Sequence, residues 1–262
     1  MRAQQGLPRS ARTLIMFVAV AGLAAVIVRS LDVSKWNGHD SIAWGVLALG
    51  VALAEQFTLQ VRSRTETLNV SLTEGLWIAA LVLARPSVLT LAVAAGVIVG
   101  HTFRRWAPYK AAFNVGQFLV ALTVAQVVFR AMGPRGATHP WTWLATGVAM
   151  AAYAAVNAGL VALVISLVER RPFAAVLMPP LPANAAHFFG NTVIGLSGAL
   201  LWSANPFVFP VVVVPLAAAF VIYRVLMRSA RTMLRTAFIA RAVALESADS
   251  ADVIGLALMA PS

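Results

Sequence analysis

The chain has 262 residues, 60% of them hydrophobic and only 11% charged, with a net charge of +11 and no cysteine. A soluble domain carries roughly 25% charged residues, so this chain cannot clothe itself in a water-facing surface, and its solvent is lipid. The absent cysteine excludes disulfides, thiolate metal sites and thiol catalysis. The positive charge, which in a soluble protein points to nucleic acid, is explained here by membrane topology and calls for no nucleic-acid partner.

Eight apolar segments follow one another at 13–28, 41–58, 70–84, 87–103, 111–129, 141–168, 186–203 and 207–227. Several reach the ~17–25 residues that cross a bilayer as a helix. Arg2, Arg9 and Arg12 precede the first segment as in a signal peptide, and small residues at Ala21–Ala25 offer a cleavage site. With so many spans downstream, the segment reads better as a signal anchor. The chain then divides into a basic N-terminus (1–12), a membrane domain (13–227) and a juxtamembrane helix with its tail (228–262).

Between segments two and three, Phe57, Leu59 and Val61 alternate with polar residues, and so do Leu68, Val70 and Leu72. A period of two predicts a small β-hairpin turning at Arg62–Thr65. Segments three and four are short and meet at Arg85-Pro86. Proline lacks the amide donor and disfavours helix at the residue before it, so a tight turn is expected there. This pair either crosses twice or forms a re-entrant hairpin. Residues 169–185 carry Pro172, Pro179, Pro180 and Pro182, too many for a regular helix, and are expected along the cytoplasmic interface.

Lys and Arg counts set the orientation, because cytoplasmic loops are enriched in them. With the N-terminus inside, Arg2, Arg9, Arg12, Arg62, Arg64, Arg104, Arg105, Lys110, Arg170, Arg171, Arg224, Arg228, Arg231, Arg235 and Arg241 are cytoplasmic, 15 of the 20. Arg29, Lys35, Arg85, Arg130 and Arg135 make up the 5 outside. Fusing segments three and four reverses this bias and strands Arg85 at mid-membrane, where a charge costs ~2.5 kcal/mol or more. The expected fold is therefore an all-α polytopic membrane protein of about eight transmembrane or re-entrant helices, with both ends in the cytoplasm of a bacterial cell and a small cytoplasmic β-hairpin.

Past the last segment, Arg224, Arg228, Arg231 and Arg235 share one helix stripe. Leu226, Ala230, Met233, Ala237, Ala240 and Ala244 form a short heptad seam. The stripe suits anionic lipid headgroups; the seam suits a homodimer or a cytoplasmic signalling partner.

Within the apolar segments the polar residues are few. Glu74 lies in the third, where a carboxylate faces a bundle interior or a cationic partner, unless it snorkels to the interface or pairs with Arg62 or Arg64. Glu55, at the cytoplasmic end of segment two, suits an arginine partner. Asn114 and Gln117 are three apart on one face of segment five, beside Gly116, which admits a close neighbour. Asn157 and Asn191 suit interhelical hydrogen bonds or a ligand, and His187 opens segment seven as an end residue or a pH-responsive one. No phosphate loop, His-Glu-x-x-His, nucleophile elbow or metal cluster is present, so no catalytic residue, metal or cofactor is expected.

Ala54-Glu55-Gln56-Phe57 through Val61-Arg62, then Ser71-Leu72-Thr73-Glu74 and Val82 to Pro86, resemble the membrane domain of actinobacterial signalling proteins. Lys110-Ala-Ala-Phe-Asn114-Val-Gly-Gln117-Phe and Val214-Pro215 through Tyr223-Arg224 are similar to the same family. In that family the membrane region precedes diguanylate cyclase (GGDEF), GGDEF–EAL or HD-type phosphohydrolase domains. The resemblance covers most of 50–245 and implies a non-enzymatic sensory or input role, passed down the helix at 224–245. Glu55, Arg62, Glu74, Lys110, Asn114 and Gln117 match the pattern without assigned roles. This sequence reaches Ser262 without a catalytic domain, which implies either a module acting on a separate partner or a lost signalling role. The alternatives are a small-molecule transporter lined by the same polar residues, and an intramembrane lipid enzyme built near Arg104, Arg105 and Lys110.

Overall fold

A computed structural model describes residues 7–56, 59–62, 67–70, 73–103 and 107–206, with backbone alone for 59–62 and 67–70. Segment 207–227, the arginine stripe from Arg224 to Arg235, the seam at 226–244 and the tail to 262 lie outside the described residues, as do Arg104 and Arg105.

The described chain is almost wholly helical. Its helices are α1 (Arg9–Ser30), α2 (Gly38–Gln56), α3 (Thr73–Leu83), α4 (Pro86–Phe103), α5 (Pro108–Ala131), α6 (Pro140–Glu169), α7 (Phe173–Leu177) and α8 (Leu181–Ala204). Four of them, α1 with its extension to Lys35, α4, α5 and α6, are long and apolar enough to cross a membrane. Between α2 and α3, Leu59–Arg62 (β1) and Thr67–Val70 (β2) pair antiparallel, Leu59 opposite Val70 and Val61 opposite Leu68. Residues 63–66, where the turn is expected, lie outside the described residues.

Two expectations are corrected. The third segment is helical only over 73–83, because Val70 belongs to β2. Eleven residues rise only about 16 Å, half the ~30 Å hydrocarbon core, so α3 does not cross a bilayer by itself. The proline-rich connection is also more regular than expected. Pro172 caps the short α7, and Pro182 lies in the first turn of α8, where the missing N–H has no intrahelical partner to lose.

Helices that are not neighbours in sequence pack side by side and run parallel. On α1, Val18 lies against Gly116 of α5 and Arg29 reaches Gln126, so later residues meet later residues. On α2, Trp36 just before the helix bonds Ser87, Val51 meets Gly96 and Glu55 meets Gly100, so α2 and α4 run together. On α3, Glu74 meets His187 and Ile78 meets Gly195, which aligns α3 with α8.

Every one of these contacts closes on glycine. A Cβ added at Gly116 would stand 2.6 Å from Val18 O, one at Gly96 2.6 Å from Ala48 O, and one at Gly195 2.7 Å from Gly75 O. Small residues let membrane helices bring their backbones together, which maximises dispersion contact where no hydrophobic force separates protein from lipid.

The core lies on α3 and α4. Trp77, Ile78 and Leu81 pack with Leu89, Val93 and Val97, then with Leu119 and Leu122 of α5 and with Tyr153 of α6. The outer faces are apolar too: Ile42, Val46, Leu49 and Leu53 on one stripe of α2 are 52–70% exposed. So continuous an exposed apolar stripe is what a lipid-facing helix presents.

One end of the bundle is locked by side chains. Asn37 and Asp40 exchange reciprocal bonds at the start of α2 (Asn37 N to Asp40 Oδ2, 3.1 Å; Asp40 N to Asn37 Oδ1, 2.8 Å). Arg85 Nε reaches Asp40 Oδ2 at 3.2 Å from the α3–α4 turn. Gln126, 1% exposed, accepts from Arg29 Nη2 (3.1 Å) and donates to Thr90 Oγ1 (3.0 Å) and Pro86 O (3.3 Å).

Gly116→Val should lower stability by about 1–3 kcal/mol, the usual cost of overpacking, since the added methyls meet backbone that cannot swing aside. Gly147→Ala, with nothing within 4 Å of its added Cβ, should leave stability unchanged or slightly raised. The midpoint of thermal unfolding in detergent, compared for the two variants, checks both.

Candidate functional site

The polar residues of the opposite end converge on the start of α3. The paired strands β1 and β2 deliver the chain to Thr73 and Glu74, the first two residues of the helix. Consecutive residues on a helix point about 100° apart, and these two reach different neighbours. Thr73 Oγ1 donates to Glu55 Oε1 at 3.2 Å, across to α2. Glu74 turns toward α8 and is only 8% exposed.

On α8, His187 and Asn191 are four apart and share a face. Asn191 Nδ2 donates to Glu74 Oε2 at 3.3 Å and lies 3.2 Å from His187 Nε2. His187 Nε2 is itself 3.5 Å from Glu74 Oε2. Gly195 makes this possible, for a Cβ there would stand 2.7 Å from Gly75 O and 2.5 Å from Ile78 Cβ. Glu74 thus faces the bundle interior, with its partners on α8, rather than snorkelling to the interface.

The cluster has two mutually exclusive hydrogen-bond arrangements. A bare Nε2 on His187 accepts the second Asn191 N–H while the first holds Glu74. A protonated Nε2 turns donor and addresses Glu74 directly, and Asn191 must then give up the ring. Proton occupancy at one nitrogen therefore decides whether α8 holds Glu74 through Asn191 alone or through His187 as well.

Behind the polar groups runs a chain of rings. His187 and Phe188 lie 5.6 Å apart, Phe188 and Tyr153 5.7 Å, Tyr153 and Trp77 5.7 Å, and Trp77 and Phe118 5.3 Å. The last three pairs are edge-to-face, the arrangement that ring quadrupoles favour. These five side chains join α8, α6, α3 and α5. The Tyr153 phenol feels the charges of both Glu74 and Glu55.

The other sequence candidates lie on the helices around this network. Gln117 of α5 is 4% exposed and its Oε1 has no partner among the described residues. Asn157 of α6 is half-buried with an unpartnered Oδ1, and Asn114 is half-buried. Trp77 Nε1 and the Tyr153 hydroxyl are likewise buried without a bond. Buried polar atoms of this kind are normally satisfied, so four of them on three neighbouring helices mark a place suited to water or a polar ligand. Glu55, expected beside an arginine, accepts from Thr73 and is 7% exposed.

Sequence reasoning passed over Tyr153, Trp77 and Gln126. Gln126 carried a readable signal, being the third amide within an apolar segment where each one needs a partner. Tyr153 and Trp77 carried none, since aromatic rings are ordinary in such segments. No protein-family model matches the chain, and neither a curated protein nor a solved structure does.

Asn191→Leu removes the amide that links Glu74 and His187, and should cost about 0.6–2 kcal/mol, the range of interhelical bonds in membranes. Combined with Glu74→Gln, the two losses should fall short of their sum. Unfolding midpoints around the double-mutant cycle test this, and strict additivity would dissolve the cluster into independent contacts.

Proposed function

We propose that this chain is a multi-pass protein of the bacterial plasma membrane and acts as a sensory or scaffold module rather than an enzyme. The state of the α3–α8 contact is its signal, carried to the cytoplasmic helix at 224–245. The observation that carries this reading is the buried Glu74–His187–Asn191 cluster, two titratable groups and an amide across one helix contact. A buried pair of this kind holds one arrangement while protonated and another while not.

The topology in this reading has both ends inside. Segments three and four form a hairpin whose Arg85-Pro86 turn lies at the same end of the bundle as the start of α2, supported by the Arg85–Asp40 pair and the Trp36–Ser87 bond. Parallel packing of α1 with α5, α2 with α4 and α3 with α8 agrees with spans that alternate in direction. The β1–β2 hairpin and Glu74 then lie on the cytoplasmic side. The resemblance to actinobacterial membrane input domains supports the same role, with anionic headgroups at the arginine stripe and a second copy or a cytoplasmic signalling protein as partner.

The transporter alternative draws on one specific observation: the unbonded polar atoms of Trp77, Gln117, Tyr153 and Asn157 would suit the lining of a substrate path.

Single cysteines at Ala230, Met233, Ala237, Ala240 and Ala244, in a chain naturally free of cysteine, separate the two in native membranes. The sensor reading expects cross-links with heptad spacing that change in yield at least about twofold in Glu74→Gln or His187→Gln. Absent cross-links, or a pattern indifferent to both substitutions, would favour the transporter.

A further inference from the structure

At the end of the bundle away from Glu74, the α3–α4 turn and the α5–α6 connection enclose a cleft of about 420 Å³. Small-molecule sites span roughly 300–1,000 Å³, so the size is that of a ligand pocket. Val82, Ala84, Pro86 and Pro134 supply partly exposed apolar wall, Gln126 a polar base, and Arg130 and Arg135 exposed cations.

The disposition of charge at this end is selective. Five cations are found here. Lys35 Nζ is 2.8 Å from Asp32 Oδ1, Arg85 Nε is 3.2 Å from Asp40 Oδ2, and Arg29 Nη2 donates to Gln126 Oε1 at 3.1 Å. Arg29, Arg130 and Arg135 have no carboxylate partner among the described residues; Arg29 is held by the Gln126 amide, and the other two line the cleft.

A second observation concerns His139. Its Nδ1 lies 3.1 Å from Trp141 N and its Nε2 3.2 Å from Arg135 Nη1. Both neighbours are N–H donors, yet a neutral imidazole has one acceptor nitrogen. One contact therefore sets donor against donor. An acidic oxygen between the guanidinium and the ring would accept from both and remove the conflict.

We propose that this cleft binds an amphiphilic anion. Its carboxylate or phosphate is held by Arg130 and Arg135, and its apolar body lies on Val82, Ala84 and Pro86. Such a group can come from a free amphiphile or from the headgroup of a membrane lipid. Val82 belongs to α3, whose first turn carries Glu74, so the ligand touches the far end of the helix on which the polar cluster depends. This coupling rests on the sensor reading; the binding does not.

The test uses the full chain in phosphatidylcholine nanodiscs, titrated with decanoate and followed by calorimetry. Saturable binding is expected, weakened about tenfold or more in Arg130→Gln and in Arg135→Gln, as for loss of a charge-assisted bond. Arg171→Gln, at the other end, should bind as the parent does. If phosphatidylglycerol in the disc displaces decanoate, the lipid headgroup is the natural source; if it does not, the source is a free amphiphile. Absence of saturable binding, or equal binding by the two variants with unchanged unfolding midpoints, overturns the site. Failure of the sensor reading would instead show in the cross-links at 230–244 while binding persisted.

Discussion

A helix too short to reach across a bilayer survives inside one only when protein surrounds it. Lipid offers no partner for the backbone groups at its ends, and each such group left bare costs several kcal/mol. Helix α3, eleven residues long, is the element under that constraint, and the arrangement of the others answers it. Helices α4, α5, α6 and α8 all touch it, with Trp77, Ile78 and Leu81 almost wholly enclosed. Its first turn is tied to α2 through Thr73 and to α8 through Glu74. Beyond its last turn, the Arg85 guanidinium tethers the chain to Asp40.

The same constraint explains the location of polar residues. A carboxylate such as Glu74 is tolerable within an apolar helix because α8 brings an amide and an imidazole to meet it, and those partners can approach because Gly195 lets the backbones close. Aromatic rings fill the space behind. The polar cluster and the aromatic chain are thus consequences of one close helix contact, and the rings join that contact to α5 and α6.

Much of this was legible in the sequence, for local reasons. The edges of α1, α4, α5 and α6 fall within a few residues of the apolar segments, since a lipid-facing helix advertises itself by hydropathy alone. The break at Arg85-Pro86 followed from proline. Glu74, His187 and Asn191 each stood out as polar residues in apolar surroundings, yet their meeting did not, because contacts more than a hundred residues apart leave no periodicity to read. The length of α3 was misjudged for a related reason. Val70 continues the apolar pattern but belongs to a strand, and hydropathy does not distinguish the two over so short a stretch. The regular α7 was missed because prolines were counted rather than placed; at a helix start they are compatible with the turn.

Parallel packing between non-consecutive helices has a bearing on how the protein is made. The partner of Glu74 on α8 lies 117 residues further along the chain. At roughly 5–20 residues per second, synthesis reaches it only after something on the order of ten seconds. For that interval the carboxylate has been produced and its amide has not, and the same is true of α1, whose glycine groove awaits α5. The segment holding Glu74 must therefore wait where water or the insertion machinery can shelter it. The bundle cannot close until α8 arrives, which makes the last described helix the step that commits the whole assembly.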